Sequence, residues 1–425
     1  MRRLYNVLIG LAVPLAFAAV LLRGLRDRAY RQGLGERFGF GRRAAGAPCI
    51  WLHAASLGEV AAAAAVLSAL RARHPETPIV VTTATPTGRS RARELFGAGT
   101  VVRFLPYDTP RAVARFLDNV EPALAIIMET ELWPNLFREC ARRALPLVLA
   151  SARLSAKSAS RYRRCGALFR DIFTANVIVA AQTAGDAERF RSIGAHPERT
   201  HVVGNVKFDI EVGADGGVRA QRLRSQTLGG RPTWIAGSTH AGEDEQVIDA
   251  HCQVRAQRPD ALLVLAPRHP SRFDGVAALL ARSGLAFSRR SGGAPVAADA
   301  AVLLLDTLGE LSDFYAAADI AFVGGSLVPI GGHNLLEPAA LGVPVLYGPS
   351  QFNGRESAAL LSAAGAALPV ADARTLAASV RRLFDRPEER QRIGAIGRAT
   401  VASARGSVAR LLALIETSAP ASTAQ

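Results

Sequence analysis

The sequence predicts an α/β protein of two Rossmann-like domains behind an apolar N-terminal helix. Three observations carry this. The chain has 425 residues, too many for one ordinary core and close to two domains of roughly 150–200 residues. Short, near-continuous apolar runs alternate with helical stretches, as expected for parallel strands covered on both faces. That alternation starts twice, once near Cys49 and again near Trp234.

The N-terminal segment comes first. Leu4 to Leu22 is free of charge, and these nineteen residues would span about 28 Å as a helix, close to the roughly 30 Å hydrocarbon core of a bilayer. Only Arg2 and Arg3 precede it, whereas Arg23, Arg26, Arg28, Arg31, Arg37, Arg42 and Arg43 follow. The positive-inside bias then puts the body in the cytoplasm, with arginines placed to hold anionic membrane lipid. Residues 1–30 therefore read as a membrane anchor and basic juxtamembrane segment. The rival reading is a cleaved signal peptide ending near Ala16-Phe17-Ala18. The apolar run continues past that box, and the arginine cluster opposes export.

Residues 31–212 form the expected first domain. Its candidate strands are Ile50–His53, Ile79–Thr83, Val101–Leu105, Ala123–Met128, Leu147–Ala150, Val177–Ala180 and His201–Val203. Residues 213–231, rich in Gly, Arg and Gln, read as a linker with room for one short helix. The second domain, 232–416, carries candidate strands Trp234–Ala236, Leu262–Ala266, Val302–Leu305, Ile320–Val323 and Val343–Tyr347. Residues 417–425 read as a frayed tail. Each half opens on a Trp-led strand followed by Ser and then Gly-Glu: Trp51, Ser56, Gly58-Glu59 and Trp234, Ser238, Gly242-Glu243. Two similar domains would give this echo. Ligands in such sheets bind at the carboxyl ends of strands.

The net charge is +15, which suits an acidic partner. The basic residues are almost all Arg, a pattern that codon usage alone can produce, with Lys157 and Lys207 as the two lysines. Aromatics are 6% and no nucleic-acid-binding motif is present, so a nucleic-acid partner is not expected. The four cysteines form no C-x-x-C pair, and neither H-x-x-x-H nor H-E-x-x-H occurs. No metal and no other cofactor is expected.

Candidate chemistry clusters after strands. In Gly324-Gly-Ser-Leu-Val-Pro-Ile-Gly331-Gly332-His333-Asn334-Leu335-Leu336-Glu337, a glycine-rich turn leads into a helix. Backbone N–H groups around Gly331, Gly332 and His333 suit a phosphate, and Glu337 suits ribose hydroxyls. The structural alternative is an Asn334 N-cap with Glu337 at N3. Pro267-Arg268 follows a strand and offers a permanent cation with a planar donor fork. Gly309-Glu310-Leu311 follows another, where backbone can frame a base. Ser56-Leu57-Gly58-Glu59 reads equally as a capping box and as a general base, Glu59, beside a glycine that admits an acceptor. Glu129 and Glu131 at a strand end are either helix N-terminal acids or a polar, open site. Lys207 ends the first half and can meet substrate charge.

At these residues the chain resembles the 3-deoxy-D-manno-octulosonic acid (Kdo) transferases of lipopolysaccharide assembly. The likeness covers nearly the whole chain. It rests on WLHAASLGEV, METELWPN, ASARLSAKSASRY, GNVKFD, AGSTHAGEDE, APRHPSRF, LGELSDFY and FVGGSLVPIGGHNLLEPAALGVPVLYGP. The resemblance implies a GT-B glycosyltransferase, its two Rossmann-like domains facing across a cleft, at the cytoplasmic face of the inner membrane. It implies CMP-Kdo as donor, a lipid A precursor as acceptor, inversion in one displacement and no metal. Glu59 would be the general base, and Glu129 or Glu131 with Lys207 would stabilise the transition state. Pro267, Arg268, Gly309, Glu310, Leu311 and Asn334 through Glu337 would hold CMP. Two alternatives stand beside it: another GT-B sugar-nucleotide enzyme, such as a UDP-sugar transferase or epimerase, and a periplasmic two-lobed binding protein.

Overall fold

The computed structural model describes residues 1–41, 48–97, 99–209 and 216–418. The chain divides into two compact units, Met1–Asp209 with Arg405–Gln425, and Ile210–Ala404. Each is a seven-stranded parallel sheet with helices on its faces.

In the first unit the strands are β1 (Cys49–His53), β2 (Ile79–Thr83), β3 (Val101–Phe104), β4 (Pro122–Met128), β5 (Leu147–Ala152), β6 (Val177–Ala181) and β7 (Thr200–Val202). Their order is β3-β2-β1-β4-β5-β6-β7. The chain therefore runs to one edge, returns, and builds the other side, so the order reverses between β1 and β4. That is the switch point where loops diverge and leave a crevice. The apolar runs become strands because both faces are buried: one face packs around Trp51, Phe116 and Phe137, the other around Leu52, Val66 and Met128.

The second unit repeats the plan. Its strands are β8 (Thr233–Thr239), β9 (Leu262–Pro267), β10 (Phe287–Arg289), β11 (Val302–Leu304), β12 (Ile320–Val323), β13 (Val345–Tyr347) and β14 (Ala367–Pro369). The order β10-β11-β9-β8-β12-β13-β14 reverses between β8 and β12. The two Trp-led strands are thus equivalent. Trp51 donates to Thr82 Oγ1 at 2.8 Å and Trp234 to His251 Nδ1 at 3.0 Å, so each buried indole keeps its hydrogen bond.

The domain boundaries need two corrections. The last helix, Ser407–Ser418, belongs to the first unit, not the second. Its Val408, Leu411, Leu412 and Ile415 are buried beside Val203 and Val206, contributing on the order of 1.5–3 kcal/mol each. The Asp209 carboxylate caps its start, accepting from the backbone of Gly406 (2.7 Å), Ser407 and Val408. The expected linker carries its one short helix but is not separate from the second domain. Helix Gly216–Arg222 and the turn after it belong to the second unit, where Arg224 pairs with Asp319 at 3.0 Å. Residues 213–215 and 419–425 lie outside the described residues.

The N-terminal helix spans Arg2–Arg26 and, among the described residues, is the one helix long and apolar enough to cross a membrane. It is not uniformly exposed. Tyr5, Ile9, Val13, Phe17, Val20 and Gly24 are wholly or partly covered, at helical spacing, while Leu4, Val7, Leu8, Leu11, Leu15 and Leu22 are exposed.

Candidate active site

In the first unit the loops after β1 and β4, on either side of the switch point, carry the predicted residues. Ser56 caps the helix Leu57–Arg73, its hydroxyl receiving the Glu59 N–H. The Glu59 carboxylate turns back to the same corner: Oε2 accepts from the Ala55 N–H at 2.9 Å and Oε1 from the Ser56 hydroxyl at 2.8 Å. The capping reading of this motif therefore holds, and the carboxylate that forms the cap is still only half-buried. Burial raises its pKa above the ordinary carboxylate value, the Ala55 and Ser56 bonds oppose this, nearby Glu129 adds to it and Lys207 pulls it down. Gly58 is exposed, and a Cβ there would meet nothing within 4 Å. The fold does not demand glycine at this position, which faces open solvent.

Glu129 sits just past β4 with φ +55°, a left-handed conformation costing a non-glycine residue on the order of 1–3 kcal/mol. Its Oε1 lies 2.6 Å from Lys207 Nζ and its Oε2 3.1 Å from Arg153 Nε. Glu131 accepts the Trp133 indole N–H at 2.7 Å. Burial raises its pKa, and the charges of Glu59 and Glu129 raise it further. Glu59, Glu129, Glu131 and Lys207 thus form one electrostatic cluster, with Glu129 neutralised by two cations and the other two carboxylates held toward their protonated forms. Lys207 reaches it from the short turn Val206–Phe208, where its backbone N–H is taken by Asn205 Oδ1 at 3.0 Å. The last helix packs directly behind that turn, with Val206 in its core.

In the second unit the loops after β8, β9, β11 and β12 carry the rest. The glycine turn after β12 differs from its expected use. The N–H groups of Gly325, Ser326 and Leu327 point to the carboxylate of Glu243 at 2.6, 3.0 and 2.9 Å. Glu243 is fully buried. Gly331 donates to Ser350 Oγ and Gly332 to Gly325 O. The exposed backbone cradle expected for a phosphate is therefore not formed by these glycines, because the chain supplies its own carboxylate and acceptors. Gly331 and Gly332 serve a close approach instead, since Cβ atoms there would overlap Phe352 and Gln351. The capping alternative holds in part: at the start of the short helix Leu336–Ala340, Asn334 Oδ1 accepts from Leu336 N at 3.1 Å, but Glu337 bonds Ser312 and does not close a capping box.

Three histidines gather beside this turn. His240 Nε2 and His333 Nε2 stand 2.8 Å apart with rings stacked at 5.0 Å, so one donates its proton and the other accepts. His269 packs edge-on against His240 at 5.4 Å. Burial, then His240 and Arg268, lower the His333 pKa to about 4; burial, His269, Arg272 and Arg268 lower that of His240. Both rings are neutral near pH 7, in a field made positive by Arg268, which is exposed one residue beyond Pro267, the end of β9. Gly309 takes φ +86° and a Cβ there would meet nothing within 4 Å. Glu310 is tied to Arg290 at 2.7 Å, which holds its carboxyl below the usual range, and starts the helix Leu311–Ala317. Ser312 of that helix meets Glu337, whose pKa burial raises. Leu335 and Leu336 are buried packing residues.

Arg153, Glu243 and the His240 side chain are the participants that residue spacing left unassigned. All three lie in segments quoted above, ASARLSAKSASRY and AGSTHAGEDE, but their partners are distant in sequence. His53 is not part of the site: it is fully buried in β1 on Thr82, its pKa lowered to about 4 by burial.

Residues 32–210 match the family model of 3-deoxy-D-manno-octulosonic-acid transferase (kdotransferase). The chain is 39% identical to the 3-deoxy-D-manno-octulosonic acid transferase of Haemophilus influenzae over 98% of each chain. It is 40% identical to that of Bordetella pertussis over 89% of this chain and 90% of the relative. The chain belongs to the Kdo transferase family. It is therefore a glycosyltransferase. Among solved structures, the UDP-GlcNAc 2-epimerase of Neisseria meningitidis aligns with a TM-score of 0.54 at 13% identity, covering 87% of this chain and 99% of that one. That likeness shows the shared two-domain GT-B architecture. Within this Kdo transferase the predicted residues divide between the units: Glu59, Glu129, Glu131 and Lys207 in the first, and Arg268, Glu310, His333 and Glu337 in the second.

Proposed function

We propose that this enzyme transfers Kdo from CMP-Kdo to a sugar hydroxyl of a lipid A precursor in one inverting displacement. The observation that carries the reading is Glu59: a half-buried carboxylate with a raised pKa, at a switch point, beside the exposed Gly58 and within one cluster with Glu129, Glu131 and Lys207. A raised pKa makes it a better base near neutral pH. Glu59 takes the proton from the acceptor hydroxyl, the oxygen attacks the anomeric carbon of Kdo, and CMP departs with the electrons of the broken bond. Glu131 and the Lys207–Glu129–Arg153 chain fix the polar surroundings of the developing charge. On the donor side, Arg268 and the neutral His240–His333 pair meet carboxylate and phosphate. The open Gly309 loop, with Glu310 and Leu311, frames the base, and Glu337 accepts from ribose hydroxyls.

The N-terminal helix would hold the enzyme at the inner membrane with both units on the cytoplasmic side, where Arg23, Arg26, Arg28 and Arg31 face anionic lipid. The test is mass spectrometry of a lipid A precursor incubated with enzyme and CMP-Kdo. A mass gain of one or more Kdo residues is expected. An unchanged acceptor, or inhibition by UDP but not CMP, overturns the reading.

A further inference from the structure

The N-terminal helix grips the body of the first unit at two points, and both lead to the same loop. Near its start, the Tyr5 hydroxyl donates to Asp108 Oδ2 at 2.7 Å. Twelve residues on, Phe17 packs edge-on against Phe38 at 5.0 Å, and Phe38 packs in the same manner on Tyr107 at 5.5 Å. Tyr107 and Asp108 are neighbours in the segment that follows β3.

Asp108 is 3% exposed and does one further thing. Its carboxylate accepts from the backbone N–H of Asn135 at 2.9 Å and of Leu136 at 2.8 Å, and its carbonyl accepts from the Asn135 side chain at 2.7 Å. These are first-turn groups of the helix Pro134–Arg142, whose own N-cap residue, Trp133, provides no side-chain cap. A helix start without a local cap leaves N–H groups without partners. Asp108 supplies the cap from 27 positions away. That helix start is also the far end of the Glu129–Trp133 loop, in which Trp133 donates its indole N–H to Glu131.

We propose that Tyr5 and Asp108 are positioning residues for transfer, through which the docked N-terminal helix fixes the loop that presents Glu131. The proposal rests on the catalytic reading of the Glu59 and Glu131 cluster. It makes the membrane helix a working part of the acceptor side as well as a tether. A misplacement of about 1 Å at a reacting group can cost up to about 10²-fold in rate, so a modest loosening of this latch is readable.

The test uses the full chain in detergent micelles with CMP-Kdo and lipid A precursor. Three variants are compared with the parent: Tyr5→Phe, Phe17→Ala, and Leu8→Ala on the exposed side of the same helix. Glu59→Gln is the reference. Trp51 and Trp234 are fully buried, so an external quencher such as acrylamide reads Trp133. Tyr5→Phe is expected to lower kcat by about five- to tenfold, with the KM for CMP-Kdo unchanged, and to raise quenching of Trp133. Phe17→Ala is expected to move both in the same direction, and Leu8→Ala neither. Parental kcat and parental quenching in Tyr5→Phe overturn the proposal. Equal losses in Leu8→Ala also overturn it, because they would point to micelle binding. Parental turnover in Glu59→Gln sinks the catalytic reading itself. A Tyr5→Phe change confined to Trp133 quenching would then leave a structural latch and overturn the positioning role.

Discussion

Replacing Glu59 by Gln separates the two things this side chain does. As a cap, its carboxylate accepts from Ala55 N–H and from the Ser56 hydroxyl. Glutamine keeps one oxygen for Ala55, and the Ser56 hydroxyl can turn to accept from the new amide. The cost to folding is then below about 1 kcal/mol, the scale of a rearranged but satisfied hydrogen bond or cap. As a general base, the side chain is lost outright, since an amide takes no proton at neutral pH. A positioned general base contributes about 10²–10⁴ in rate, or roughly 3–5.5 kcal/mol of barrier. The two roles thus differ by a factor that an experiment resolves easily. Transfer kinetics, CMP binding by calorimetry and thermal melting are measured on parent and variant. The expectation is a kcat lower by about 10² or more, unchanged CMP affinity and nearly unchanged melting. Turnover within about threefold of the parent, with the cap intact, would falsify the general-base role and leave Glu59 as a cap alone.

Three more outcomes follow from the same geometry. Because burial and Glu129 raise the Glu59 pKa while Lys207 lowers it, the acid limb of kcat/KM should lie above the ordinary carboxylate range, and Lys207→Met should move it to higher pH as well as slowing transfer; a limb that stays in place excludes Glu59 as the titrating base. Glu243→Gln replaces one of two acceptor oxygens beneath the glycine turn with an amide that faces N–H donors, each costing about 1–3 kcal/mol, so CMP affinity should fall at least about tenfold; normal CMP binding refutes its role in shaping that loop. His53 and His251, buried neutral with pKa values lowered to about 4 and about 3, take a proton more readily unfolded than folded. Their contribution is complete above the unfolded value near 6.5 and is lost as pH falls toward the folded values, at up to about 1.4 kcal/mol per pH unit for each. Urea melts at pH 7 and pH 5 check this, and equal midpoints would exclude it.

How much of this was legible before the structure depends on the length of each signal. The four- to seven-residue apolar strands announced themselves, because a strand buried on both faces has no choice of composition. The edge strands β10 and β14 did not. Each has three residues, partly exposed, with Arg289 or Pro369 at its end, and lacks the buried apolar run that marks β11 and β13 at the same length. The last helix was legible as a helix but not as a member of the first unit. Its apolar face says only that it packs, and the choice of sheet is made by Asp209 and Val206 nearly 200 positions earlier.

The Gly-Glu echo shows the limit most clearly. Gly58-Glu59 and Gly242-Glu243 follow the first strand of their sheets and stand at equivalent switch points. Local spacing gives them the same reading. Their uses differ because of what arrives from the strand across the switch. After β4 comes Glu129-Thr130-Glu131, a loop of like charge that cannot hold Glu59, which stays half-buried beside the exposed Gly58. After β12 comes Gly324-Gly325-Ser326, a turn whose N–H groups converge and require an anion. Glu243 fills that requirement from within the chain, and a Cβ at Gly324 would collide with its Oε2 at 2.7 Å. A buried carboxylate already in the turn leaves no place there for a second anion. On the proposed reading the negative groups of the donor meet side chains, with Arg268 and the His240–His333 pair as the cationic and hydrogen-bonding set of the second unit.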